Sequence, residues 1–166
     1  MTKSRGTAYG TITLGTTSAP LGATTTAISG LTLNSSLLSS AQEKTTISAT
    51  AATGTIQFDV KTQSILYYTA AATGNFVLNF RGDSVTSLDS LMATQNVITL
   101  VFLNTNTGTA FYPTSITIDG GAVTPKVQNG VAITSGNINS IDSYSVVILK
   151  TATGTFTVLE SQTKFA

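Results

Sequence analysis

Two stretches of the chain, Ile56 to Val60 and Phe76 to Phe80, carry an apolar side chain at every second position, the period of a strand with one buried face. Ile56, Phe58, Val60, Phe76, Leu78 and Phe80 are expected to point into a core, with Gln57, Asp59, Val77 and Asn79 on the opposite face. Val97 to Leu103 is apolar on both faces, which marks a central strand. In Ile65 to Thr69, Tyr67 and Tyr68 fall on opposite faces, so one phenol ring must lie outside the core or against a neighbouring chain. Ile116 with Ile118, then Tyr144 to Lys150 and Phe156 to Glu160, give further strands. Turn residues close them at Gly120 with Gly121, at Pro125 and across Thr151 to Thr155, where Gly154 stands ready for a positive φ. Only Ser87 to Met92 reads as helix, with Thr86 as cap and Asp89 in its first turn.

About eight short strands with turns at roughly ten-residue spacing argue for an all-β fold, an antiparallel β-sandwich or jelly roll over residues 46–166. Its core should contain Ile56, Phe58, Phe76, Leu78, Phe80, Leu100, Phe102, Ile116, Ile118, Val146, Ile148 and Val158. An Ala-Thr-Gly triplet precedes a strand three times, at Ala52, Ala72 and Ala152. The intervals are unequal, so the echo reads as shared hairpin chemistry rather than a solenoid repeat.

Residues 1–45 are different. No charge occurs between Arg5 and Glu43, and single aliphatics are scattered through Thr, Ser, Gly and Ala. Ile12 with Leu14, and Leu31 with Leu33, keep the period of two, so the segment reads as an extended arm that pairs with something; a floppy tail is the alternative. Across the whole chain only 9% of residues are charged, while 33 threonines and 18 serines supply neutral polarity. The net charge of +1 provides no basic field for nucleic acid or an anionic membrane. Lys3 and Arg5 resemble the start of a signal peptide, but Gly6 to Pro20 is not apolar, and no run approaches the 18 or so apolar residues that cross a bilayer.

With no Cys and no His, disulfides, thiolate or imidazole metal sites and His-based triads are excluded. The carboxylates Glu43, Asp59, Asp83, Asp89, Asp119, Asp142 and Glu160 are dispersed, without a glycosidase pair, and are expected to be solvated. Asp119 and Asp142 lie near turns but lack the ligand-dense loop of a calcium site. No catalytic residue, cofactor or metal is therefore expected. Arg81, Gly82 and Asp83 spell the adhesion tripeptide RGD; turn chemistry accounts for it, with Arg81 pairing Asp83 or Asp89. Tyr67, Tyr68 and Tyr112 are candidate surface contacts, and Ile12, Leu14, Leu31 and Leu33 candidate arm contacts.

From about Thr53 onward the sequence resembles a domain of virion structural proteins from marine tailed bacteriophages, especially those of cyanobacteria. The resemblance is carried by Ile56 to Thr62 (IQFDVKT), Tyr67 to Thr69, Asn75 to Gly82 (NFVLNFRG), Ser87 to Met92 (SLDSLM) and Phe102 to Asn106 (FLNTN). Further along it continues through Ile118 to Gly120, Val123 to Lys126 (VTPK), Asn137 to Tyr144 (NINSIDSY) and Ser161 to Ala166 (SQTKFA). Similar proteins tend to have Trp, Gln and two Gly after VTPK, where this chain has Val127, Gln128, Asn129 and Gly130, so no role of that Trp carries over. The resemblance implies a virion component, assembled in the host cytoplasm, without fixing its place in the particle; the lack of His, Cys and a carboxylate pair argues that it is not an enzyme. A capsid decoration, or cement, protein clamping the major capsid protein is expected, because the sequence carries no heptads or collagen-like repeat for a fibre shaft. The alternative is a tail-fibre or baseplate module for host attachment. Self-association, as a trimer, is expected from the resemblance and from the three-fold positions of capsid lattices.

Overall fold

The structure, a computed structural model, describes residues 11–14, 17–20 and 40–166. The chain divides into two units, Met1–Ala41 and Gln42–Ala166. In the first, β1 (Thr11–Leu14) and β2 (Thr17–Pro20) form a two-stranded antiparallel sheet, Ile12 opposite Ala19 and Leu14 opposite Thr17.

The second unit is strand-rich with almost no helix. Its elements are β3 (Thr45–Ala51), β4 (Gly54–Asp59), β5 (Ile65–Ala71), β6 (Phe76–Arg81), α1 (Leu88–Leu91), β7 (Val97–Asn106), β8 (Pro113–Ile118), β9 (Gly121–Val123), β10 (Lys126–Val127), β11 (Ser140–Ala152) and β12 (Thr155–Phe165). A six-stranded sheet has the order β10-β12-β11-β7-β5-β3, and a four-stranded sheet the order β4-β6-β8-β9. No helix among the described residues is long and apolar enough to cross a membrane.

The sheets are mixed, not antiparallel throughout. From β3 to β8 the chain alternates between the two sheets, so each strand meets its own sheet again after one strand in the other. A strand reached by such a crossover runs parallel to the one before it. Hence β3, β5 and β7 are mutually parallel, as are β4, β6 and β8, and the antiparallel pairs β8–β9, β7–β11 and β11–β12 come afterwards. The Ala-Thr-Gly echo takes a different meaning here. Its first two copies are successive corners where the chain leaves the six-stranded sheet, stacked through the Thr73 N–H donating to the Ala52 carbonyl at 3.1 Å. Only the third is a hairpin: Ala152 pairs with Thr155 around Thr153 and Gly154, whose φ of 64° needs no Cβ accommodated. The β8–β9 turn is Asp119 and Gly120, both at positive φ (52° and 81°), as a two-residue hairpin requires; Gly121 already pairs with Ile118.

All twelve expected core residues are buried, and side chains from both sheets meet. Phe76 of the four-stranded sheet lies 5.4 Å, ring to ring, from Phe102 of the six-stranded sheet, and edge-on to Tyr144 at 6.3 Å. Ala52, Leu66, Ala72, Leu88, Met92 and Tyr144 complete this core. Strand β7 lies inside its sheet between β5 and β11, as its two apolar faces require. The helix starts one residue later than its sequence implies: Ser87, not Thr86, is the cap, its hydroxyl accepting from the Ser90 N–H at 3.0 Å.

Candidate functional site

Leu31 and Leu33 lie outside the described residues; Ile12 and Leu14 lie on β1, where only the backbone is described. The three tyrosines do not form one surface. Tyr68 faces the core, its ring edge-on to Phe102 at 5.4 Å, and Tyr112 packs on the core margin, its N–H donating to Asn75 Oδ1. Tyr67 alone points to the outer face of the six-stranded sheet, in register with Ile47 and Leu103.

The outer face of the four-stranded sheet is polar and internally bonded. Asn79 Nδ2 donates to Gln57 Oε1 at 2.6 Å, and Asn79 Oδ1 accepts from Thr117 Oγ1 and the Gly120 N–H. Asn79 is therefore buried beneath its own partners, although it lies opposite Phe80. The next row holds the RGD tripeptide. Arg81 pairs with Asp59 across the sheet at 2.6 Å, not with Asp83 or Asp89. Asp83 accepts from Lys61 Nζ (2.6 Å) and from the N–H groups of Val85 and Thr86, which hold its carboxyl well below the usual range. Gly82 is buried, and a Cβ there would sit 2.7 Å from the Thr86 carbonyl oxygen. All three residues are engaged within the fold, Arg81 across the sheet and Gly82 and Asp83 in the turn.

The carboxylates are not the solvated set their spacing implies. Asp142 is fully buried where the inner face of β7 turns from Leu100 and Phe102 to Asn104 and Asn106. It accepts from Asn106 Nδ2 (3.1 Å), from Asn137 N (2.8 Å) and Nδ2 (2.7 Å), and from Gln162 Nε2 (3.4 Å). Gln162 also donates to Tyr144 Oη, and burial together with the Asp142 charge pushes that phenol far above its ordinary pKa. A ring of N–H donors is the wrong polarity for a cation. Gly136 closes the site, since a Cβ there would lie 2.3 Å from the Phe111 carbonyl oxygen and 2.8 Å from Asn106 Nδ2.

At the opposite end of β11, buried Lys150 pairs with Asp89 at 2.8 Å and donates to the carbonyls of Asp89 and Met92. Asp119 caps the other end of α1 by accepting from the N–H groups of Leu88 and Asp89. Both ends of a one-turn helix are thus tied to the sheets by charged side chains. No group of three or more metal-ligating acidic side chains occurs among the described residues.

Glu160 is the exception to this pattern of partnered acids. It points inward from β12 at 7% exposure, into a cavity of about 210 Å³ lined by Pro113, Ile116, Pro125, Val127 and Ile133. Burial pushes its carboxyl up to about 7 from an ordinary 4.5. Asp142, Lys150 and Glu160 share one signal that the sequence carries: each continues the inward alternation of an apolar run, Tyr144-Val146-Ile148 or Phe156-Val158. The chain matches no family model, no curated protein and no solved structure.

Proposed function

We propose that the protein is a structural component of a tailed-phage virion: a capsid decoration protein that binds the shell through residues 1–45 and a β-sandwich domain, and associates with copies of itself. The observation that carries the mechanism is the first crossover pair. Strands β3 and β4 are the outermost strands of their sheets, and among the described residues nothing pairs with their far edges. An open edge accepts an added strand through main-chain hydrogen bonds. The stretch between Arg5 and Glu43, with Ile12, Leu14, Leu31 and Leu33 at period two, brings no charge to desolvate when it is added to such an edge on a neighbour.

Two further observations support the reading. Three stretches that carry the phage resemblance, Phe102 to Asn106, Asn137 to Tyr144 and Ser161 to Ala166, converge on the buried Asp142 network, as expected of residues that define a framework. Asp59, Asp83, Asp89, Asp119 and Asp142 are each engaged by cations or N–H donors, which favours a non-catalytic role. The sandwich reading rests on the common core of the two sheets. Densitometry of purified virions tests the assignment: hundreds of copies per particle support decoration, tens support a fibre or baseplate module, and absence from the particle ends the virion reading.

A further inference from the structure

We infer that the outer face of the six-stranded sheet is a self-association surface, covered by the same face of a second copy of this chain in a two-fold dimer rather than a trimer. This deepens the self-association proposed above by naming the surface. Strand register puts Ile47, Ile65, Tyr67, Val101, Leu103 and Val147 on this face, with Thr and Ser filling most of the positions between them. From β3 across to β12 no charged side chain points outward; every charged residue of β11 and β12 has the inward parity, and Lys126 on the two-residue edge strand is the first cation met. Ile47 is 68% exposed, Val97 60%, Phe165 58% and Leu159 41%, and all four lie on this face.

The opposite outer face, on the four-stranded sheet, shows what a solvated surface of this protein looks like: Gln57, Asp59 and Arg81, hydrogen-bonded to one another or to the Asn79 beneath them. An apolar sheet face of this extent marks a docking surface. Its size fits a stable interface. Strands β3, β5, β7, β11 and β12 have 7, 7, 10, 13 and 11 residues, and at a rise of ~3.3 Å and a spacing of ~4.8 Å they cover roughly 750 Å², against about 800 Å² per partner in a standard interface. The chemistry selects the occupant. A partner bringing charge to this face would bury it unpaired, whereas another copy brings the same aliphatic and hydroxyl rows, and sheets stack face to face at about 10 Å. A depression of about 430 Å³ beside Ser145, Val147, Leu159 and Ser161, bordered by Lys126 and Glu160, lies at the β10 margin of this face.

The test is the mass of the full-length chain by sedimentation equilibrium. The wild type should run at twice 17.1 kDa. The double variant Val147→Lys with Leu159→Lys should associate at least tenfold more weakly, with unchanged circular dichroism. Val85→Lys, at a 91% exposed position off this face, should keep the wild-type mass. Should the double variant fail to fold, Ser145→Lys with Ser161→Lys places charge on the same face while leaving every apolar residue intact, and should disperse the assembly equally. A wild type that is monomeric at all concentrations, or a folded face variant that keeps its mass, overturns the inference. Virion copy number does not enter this measurement, so the face and the virion assignment can fail separately.

Discussion

Replacing Glu160 by Gln removes the buried acid that, unlike Asp142, has no hydrogen-bond donor, and should leave the protein more stable at neutral and alkaline pH. The wild-type carboxyl holds its proton to about 7 when folded and to an ordinary 4.5 when unfolded. Between those values the folded state binds the extra proton, so stability falls as pH rises from 4.5 through 7 and levels off above. The gap of about 2.5, at ~1.4 kcal/mol for each pH unit, corresponds to roughly 3 kcal/mol lost by pH 8. An isosteric amide keeps the shape of the cavity and has no charge to desolvate. The variant should match the wild type near pH 4.5 and exceed it by roughly 3 kcal/mol at pH 8, a shift in Tm of about 10 °C for a domain of this size. Urea unfolding followed by circular dichroism from pH 4.5 to 8.5 measures both curves. Parallel curves, or a wild type that gains stability as pH rises across this window, would refute the assignment of Glu160 as a desolvated acid.

Below this window the sign reverses, because Asp83 and Asp89 are held below the ordinary carboxylate range by Lys61 and Lys150; acid titration should lose stability as pH falls below about 4. Gly136→Ala should destabilise by about 2–3 kcal/mol, measured by urea unfolding, since the added methyl meets backbone and the Asn106 amide rather than a flexible side-chain end. Lys150→Met should lose roughly 1–3 kcal/mol by leaving the Asp89 and Met92 carbonyls without their buried donor, and the release of α1 should appear as faster amide exchange at Leu91 and Met92. Attachment to particles lacking the protein should change by less than about threefold between roughly 0.05 and 0.5 M salt, because the arm carries no charge between Arg5 and Glu43; a steep salt dependence would point to a charge-driven clamp.

Alternation disclosed which side chains are buried, and it did so for all twelve expected core residues. It could not disclose strand direction, because a period of two is the same whichever way the neighbour runs. The parallel ladders therefore read as antiparallel, and the corners at Gly54 and Gly74 read as hairpins. The acids were misread for a related reason. Asp142 is tolerated inside because donors arrive from Asn106, Asn137 and Gln162, up to 36 residues away, and no local pattern announces such a convergence. The inward parity of Asp142, Lys150 and Glu160 was nonetheless present in the strands on either side of Val146, Ile148 and Val158.

The alternation of β3 to β8 between layers bears on how the domain is made and lost. Neither sheet exists as a continuous piece of chain, so neither can assemble ahead of the other: each crossover extends both layers by one strand and closes a little more of the interior between them. Strand β7 is the seam. On one side it joins β5, laid down earlier in the chain, and on the other β11, which follows only after β8 to β10 have been made. A nascent chain stopped short of Ser140 would hold three turns of the winding with one flank of β7 bare. Arrival of the β11–β12 hairpin then seals both the ladder and the polar plug around Asp142, so that about the last sixth of the sequence closes the whole.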